Sequence, residues 1–139
     1  MDRIGPLWEE LNRHHVEKSL HFSELIKSRN FEARKKDLIS KAKTLRIIIA
    51  IDLKENNDIG YCISTINDSG MGEIDSIYIK ELYRRNGIGK RLMEIALRWL
   101  EDHGVTGKVL SVGSGNDEVI KFYEMFGFYP AAIYLAQKH

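Results

Sequence analysis

The chain lacks most of the marks of a secreted, membrane-spanning or nucleic-acid-binding protein. Its one cysteine, Cys62, can form no intramolecular disulfide. No apolar run approaches the ~20 residues of a membrane span. The opening residues, Met1 to Pro6, contain no apolar signal-peptide core. Lysine and arginine total 21 against 20 aspartate and glutamate, for a net charge of +1 with the signs interspersed. A dedicated nucleic-acid surface needs a basic excess, which is missing. His14, His15 and His21 do not combine with carboxylates at metal-ligand spacing, so no metal is expected. Repeats, linkers and low-complexity segments are also missing. The expectation is a single soluble, cytoplasmic domain over residues 1–139, with neither nucleic acid nor membrane as a partner.

Periodicity then sets the elements. Ile4, Leu7, Trp8 and Leu11 recur at helical spacing, with Pro6 suited to a first turn. A second helix is predicted from Phe31 to Ala42, with Asn30 as its N-cap. Its charged residues, Glu32 to Lys43, read as a solvated face. Strands are predicted at Leu45 to Ile51, Ile59 to Ile66, Glu73 to Ile79 and Lys108 to Val112, and a short last one at Ala131 to Ala136. Ile88, Leu92, Ile95, Ala96 and Trp99 share one face of a helix that stops at Gly104. A further helix, Asp117 to Phe126, is closed by Gly127. The fold class is α/β, with a mixed sheet.

Between the third strand and the long helix lies Tyr83-Arg84-Arg85-Asn86-Gly87-Ile88-Gly89-Lys90. Glycines let backbone amides approach a ligand closely. Amides at a helix start, backed by the helix dipole and basic side chains, suit a phosphate or pyrophosphate. The alternative is a plain glycine-rich turn. A dinucleotide fingerprint would need glycine where Leu92 stands, and a Walker loop would need Ser or Thr where Arg91 stands.

Arg84, Gly87 and Gly89 fall in the defining places of the Arg/Gln-x-x-Gly-x-Gly/Ala motif. Downstream, Asn116 to Phe128 resembles the block Asn-x-x-Ala-x-x-Phe-Tyr-Glu-x-x-Gly-Phe, with Val119 in place of the alanine. Two motifs in this order resemble the GNAT superfamily of acetyl-CoA-dependent N-acetyltransferases. The likeness is specific from about Leu45 to Phe128. It departs from the family at the ends, with no first strand and a shortened C-terminal end, so dimer formation through an exposed edge stays open.

The resemblance implies an acyltransferase that moves an acetyl group from acetyl-CoA, a co-substrate, to a primary amine of a small molecule or protein. Transfer would be direct, in a ternary complex. Ile77, Tyr78 and Ile79 would pair with the pantetheine arm as an added strand would. Arg84, Arg85, Asn86, Gly87, Ile88, Gly89 and Lys90 would hold the pyrophosphate. Asn116 would contact the pantetheine arm or an ordered water, or cap the helix after it. Tyr123 would lie near the thioester sulfur as general acid, its alternative being core packing. Glu73 stands at the family offset for a catalytic base and shares a strand face with Asp75. At ~3.4 Å per residue it lies on the order of 13 Å along the strand from Ile77, so it would act through water. Many members use no fixed base.

Gly113, Ser114 and Gly115 are small where a ligand could approach, or simply form a strand-to-helix turn. The histidines could line the acceptor pocket, which the family builds partly from its first two helices. Cys62 reads as a buried structural thiol. The competing readings are a GNAT-like CoA-binding regulatory module without turnover, and an enzyme that uses a longer acyl donor.

Overall fold

The computed structural model describes residues 1–138. Three helices come first: α1 (Gly5–Lys18), α2 (Ser23–Lys27) and α3 (Phe31–Lys41). Strands β1 (Thr44–Asp52), β2 (Asn57–Ile66) and β3 (Met71–Ile79) form a meander. Helix α4 (Ile88–Asp102), strand β4 (Gly107–Leu110) and helix α5 (Glu118–Glu124) follow. Sheet order is β1-β2-β3-β4, with β4 parallel to β3 and the other pairs antiparallel. The right layering follows from the β2 sequence, which is buried on both faces from Ile59 to Ile66.

Alternate β2 side chains build two cores. Tyr61 and Ile63 face α1 and α3, where Ile4, Leu7, Trp8, Phe31 and Leu38 pack. Cys62 and Ile66 face α4, where Leu92, Met93, Ala96 and Leu100 pack. Pro6 sits in the first turn of α1, and the Asn30 side chain accepts the Ala33 amide at 2.9 Å, capping α3. The short α2 carries too few apolar residues for periodicity to reveal it. Its place is fixed from outside, where Asn12 donates to the Ile26 carbonyl at 3.0 Å.

Two strand expectations need correction. Ala131 to Ala136 forms no strand, and Ile133, Tyr134 and Leu135 stand exposed. Their β-prone composition offers apolar surface, but a strand also needs a partner edge, and this segment meets none. Strand β4 stops at Leu110 instead of Val112, because its partner turns away. Register explains the turn. Ile63 pairs with Ser76 and Ser64 with Ile74, so Asp75 is an extra residue bulged out of the β2–β3 ladder.

The bulge is held by charge. The Asp75 side chain is fully buried, accepts from the Thr65 hydroxyl at 2.7 Å and lies 2.5 Å from the Lys41 ammonium. Lys41 also binds Glu73 at 2.9 Å, and Arg34 donates to the Asp75 carbonyl at 3.2 Å. The expected solvated face of α3 therefore sends two cations onto the sheet. Burial raises the Asp75 carboxyl above its ordinary 3.8, while Lys41 and Thr65 pull it back.

Lys41→Met should strand the buried carboxylate and cost about 1–3 kcal/mol of unfolding free energy near neutral pH. The raised value means that the folded state holds the Asp75 proton more tightly than the unfolded chain does. The deficit should therefore shrink as pH falls toward the unfolded value of 3.8. Denaturant titrations should also show Asp75→Asn recovering most of the loss in the Lys41→Met background.

Candidate active site

The last paired positions of β3 and β4 are Ile74 and Leu110. Beyond them β3 continues to Ile79 with β2 on one side only. Its other side, from Asp75 to Ile79, pairs with no strand among the described residues. Ser111, Val112 and Gly113 leave β4 in a different direction, and a cavity of about 540 Å³ opens in the gap. That volume is within the usual range for a small-molecule site.

One end of the cavity is the glycine turn. Helix α4 has Gly87 as its N-cap, and its first closing bond runs from the Arg91 amide to the Gly87 carbonyl at 3.0 Å. The amides of Ile88, Gly89 and Lys90 thus lack partners within the helix. Arg85 and Gly87 both take positive φ, +68° and +77°, which folds the loop tightly over the helix start. The Arg84 guanidinium folds back onto β3. It donates to the Ile79 carbonyl at 2.9 Å and lies 5.4 Å from the centre of the Tyr78 ring. It therefore ties the loop to the end of β3. Asn86 is outside the cavity wall and donates to the carbonyls of Tyr83 and Arg84. The Tyr83 hydroxyl donates to Asp52 at 2.5 Å, anchoring the loop to β1.

The middle is formed by Ile77, Asn116 and Tyr123. Asn116 is buried, and its Oδ1 has no hydrogen-bond partner among the described residues. It does not cap α5, which has no side-chain cap. Such an orphaned acceptor is costly unless a ligand or water meets it. The Tyr123 phenol is pushed up to about 12 by burial, with the neighbouring Cys62 adding to the effect. The Cys62 thiol is likewise pushed up to about 12 by burial and is inert at neutral pH.

The far end belongs to α1, which contributes Leu11, His14 and His15. Gly115, at φ +92°, seats the end of α1. A Cβ there would stand 2.0 Å from the Lys18 carbonyl oxygen. Asp75 and Ser76 reach this wall, whereas Glu73 does not. The Glu73 carboxylate is instead engaged by Lys41. Of the residues that the sequence proposed for the cofactor, all but Asn86 line this cavity. The sequence reading missed the parts of Lys41 and of the left-handed Arg85, which local composition does not signal.

The profile of the acetyltransferase (GNAT) family matches residues 8–128. The chain belongs to the GNAT acetyltransferase family. Solved GNAT-fold structures superpose on nearly all of it. A point mutant of the BH1408 protein from Bacillus halodurans aligns with TM-score 0.78 at 15% identity, covering 99% of this chain and 92% of that one. A Pyrococcus furiosus protein described as an acetyl transferase gives TM-score 0.70 at 20% identity, covering 98% and 96%. The aminoglycoside N-acetyltransferase AAC(6')-Iy, solved with a bisubstrate analogue of CoA, gives 0.63 at 19%, covering 91% and 92%. At these identities the likeness establishes the fold. A comparison with curated proteins finds no significant match. The gap between β3 and β4 and the glycine turn of α4 line one continuous cavity.

The glycines of this site differ in what they tolerate. In thermal melts Gly89→Ala should be neutral or stabilising, because a Cβ there meets only ordinary contacts with Phe122 and Ile79. Gly87→Ala should cost about 1–2 kcal/mol for its left-handed backbone. Gly115→Ala should be the most damaging, since it adds a clash with the α1 backbone to a positive φ.

Proposed function

We propose that this GNAT protein transfers an acetyl group from acetyl-CoA to a primary amine, directly and without an acyl-enzyme. The observation that carries the reading is a single cavity joining the free edge Asp75–Ile79, the unpaired amides of α4 and the Tyr123 phenol. A pantetheine arm offers amides that such an edge can pair. A pyrophosphate matches the amides of Ile88, Gly89 and Lys90 at the positive end of a 15-residue helix. The orphaned Oδ1 of Asn116 fits an amide N–H of the arm. Acetyl-CoA supplies an activated acyl carbon and a thiolate leaving group.

Tyr123 then has a defined task. Its phenol, at about 12, stays protonated at neutral pH and faces the leaving sulfur as a hydrogen-bond donor. A thiolate emerging in the same buried gap is also poorly solvated, which raises its basicity and favours taking the proton. Backbone N–H groups near Ile77 would face the thioester oxygen, where losing one such donor typically costs ~10²–10³ in rate. Glu73 has a weaker part in this reading, because Lys41 holds its carboxylate outside the cavity wall.

Calorimetry should detect CoA binding, and a panel of primary amines with acetyl-CoA should release free thiol. No CoA binding by the folded protein would refute the proposal. Tyr123→Phe should lower kcat on the order of 10²–10⁴ with CoA affinity nearly unchanged. Glu73→Gln should leave kcat/KM within a few-fold of wild type. A loss in Glu73→Gln that is largest near neutral pH and fades toward the amine's pKa of ~10.4 would restore Glu73 as the base.

A further inference from the structure

Resting on the acetyl-transfer reading, we propose that His15 is the general base that takes the proton from the incoming ammonium group of the acceptor. An alkylammonium with a pKa near ~10.4 has no lone pair, so a catalyst working near neutral pH gains from a positioned proton acceptor. The two carboxylates on β3 are poorly placed for this. Glu73 is outside the cavity wall, and Asp75 is committed to Lys41 and Thr65. His15 lines the cavity beside the opened strands, and its Nδ1 lies 3.8 Å from where a Cβ on Gly113 would stand. Gly113 follows Ser111 and Val112, the residues that part from β3 beyond Leu110. The imidazole thus flanks the mouth of the gap in which the thioester would lie.

The fold holds His15 there by contacts unrelated to helix formation. One turn further along α1, the Lys18 carbonyl packs on Gly115 so closely that no side chain fits between them. Lys18 also pairs with Glu118 at the start of α5, at 3.4 Å. The end of α1 is therefore locked to the loop that carries Gly113 and Asn116. A histidine fixed against the strand gap by two glycines is a built feature of the site.

The surroundings favour a neutral ring. Burial, then the neighbouring His14, then Arg29 lower its pKa from 6.5. The His14 ring is 6.2 Å away, centroid to centroid. Of the charged and titratable groups on the elements around the same cavity, Asp75 is neutralised by Lys41, and Glu118 is paired with Lys18. Tyr78 and Tyr123 are both shifted upward and remain uncharged. Arg84, Arg85 and Lys90 stand at the glycine-turn end, away from α1.

The proton and electron balance is complete. The imidazole takes one ammonium proton, and the freed lone pair forms the N–C bond to the acyl carbon. The C–S bond breaks with its electron pair on sulfur, which accepts the Tyr123 proton. The second nitrogen proton passes to the phenolate, and the imidazolium releases its proton to water. The products are the amide, the thiol and one proton.

Two measurements on the full chain decide the matter. The first needs no acceptor. In NMR pH titrations of the ring resonances, His15 should titrate below 6.5, and its resonance should shift when CoA is added, while exposed His21 should ignore CoA. A His15 that stays mostly protonated at neutral pH, or that ignores saturating CoA, overturns the proposal. Failure to bind CoA at all, seen by calorimetry, would instead defeat the acetyl-transfer reading itself. The second uses the fastest amine of the panel. His15→Gln should lower kcat/KM on the order of 10²–10⁴ near neutral pH, without weakening CoA binding. Its rate should then climb about tenfold per pH unit toward the amine's pKa, whereas the wild type should plateau above the His15 pKa. Added imidazole should restore part of the rate to His15→Ala. A His15→Gln rate within twofold of wild type, or a loss with an unchanged pH profile, would overturn the assignment.

Discussion

A β-sheet gains stability by pairing every backbone group, and β3 begins to depart from that rule at one residue. Asp75 is inserted into β3 without a partner in β2, and the strand bends there. Strand β4, which has paired with β3 as far as Ile74, cannot follow. The result is an unpaired edge inside the protein, facing a cavity instead of bulk solvent. The cost is contained because the bulge is tied to α3 through Lys41 and Arg34, and to β2 through Thr65. The binding gap, the free edge and the position of the glycine turn at the end of β3 all depend on that tie. The carboxylates on β3 thus act mainly in shaping the site. On the proposed mechanism, proton chemistry falls to groups that reach the cavity from α1 and α5.

Much of this architecture was legible in the sequence. The apolar run of β2, the amphipathic face of α4 and the cap at Asn30 each have a local cause, and each formed where local reasoning put it. What was not legible depends on pairing. Nothing in the composition of Ala131 to Ala136 says whether an edge is within reach, and none is. Likewise, the end of β4 is set by a bulge in its neighbour and not by its own residues.

The site divides along the same line. The glycine turn, Asn116 and Tyr123 were visible because their motifs are contiguous. The structure brings all three to one cavity, apart from the side chain of Asn86. Lys41 read as a solvated helix charge, since no pattern along α3 shows that its last turn overhangs a buried carboxylate. Glu73 looked suited to proton removal from its offset, but the offset is silent about the lysine that engages it. His15 was one of three histidines with no telling spacing. Its placement comes from a contact between α1 and a loop about a hundred residues later, set by Gly115.

The central claim is that the parted strands and the start of α4 receive one ligand together. Amide NMR of the isotope-labelled protein, titrated with CoA, tests it most directly. The account predicts large shift changes and slowed hydrogen exchange at Asp75 to Ile79 and at Ile88 to Lys90, saturating in parallel, with smaller changes near Asn116. Changes confined to the glycine turn, or centred away from the β3 edge, would contradict it.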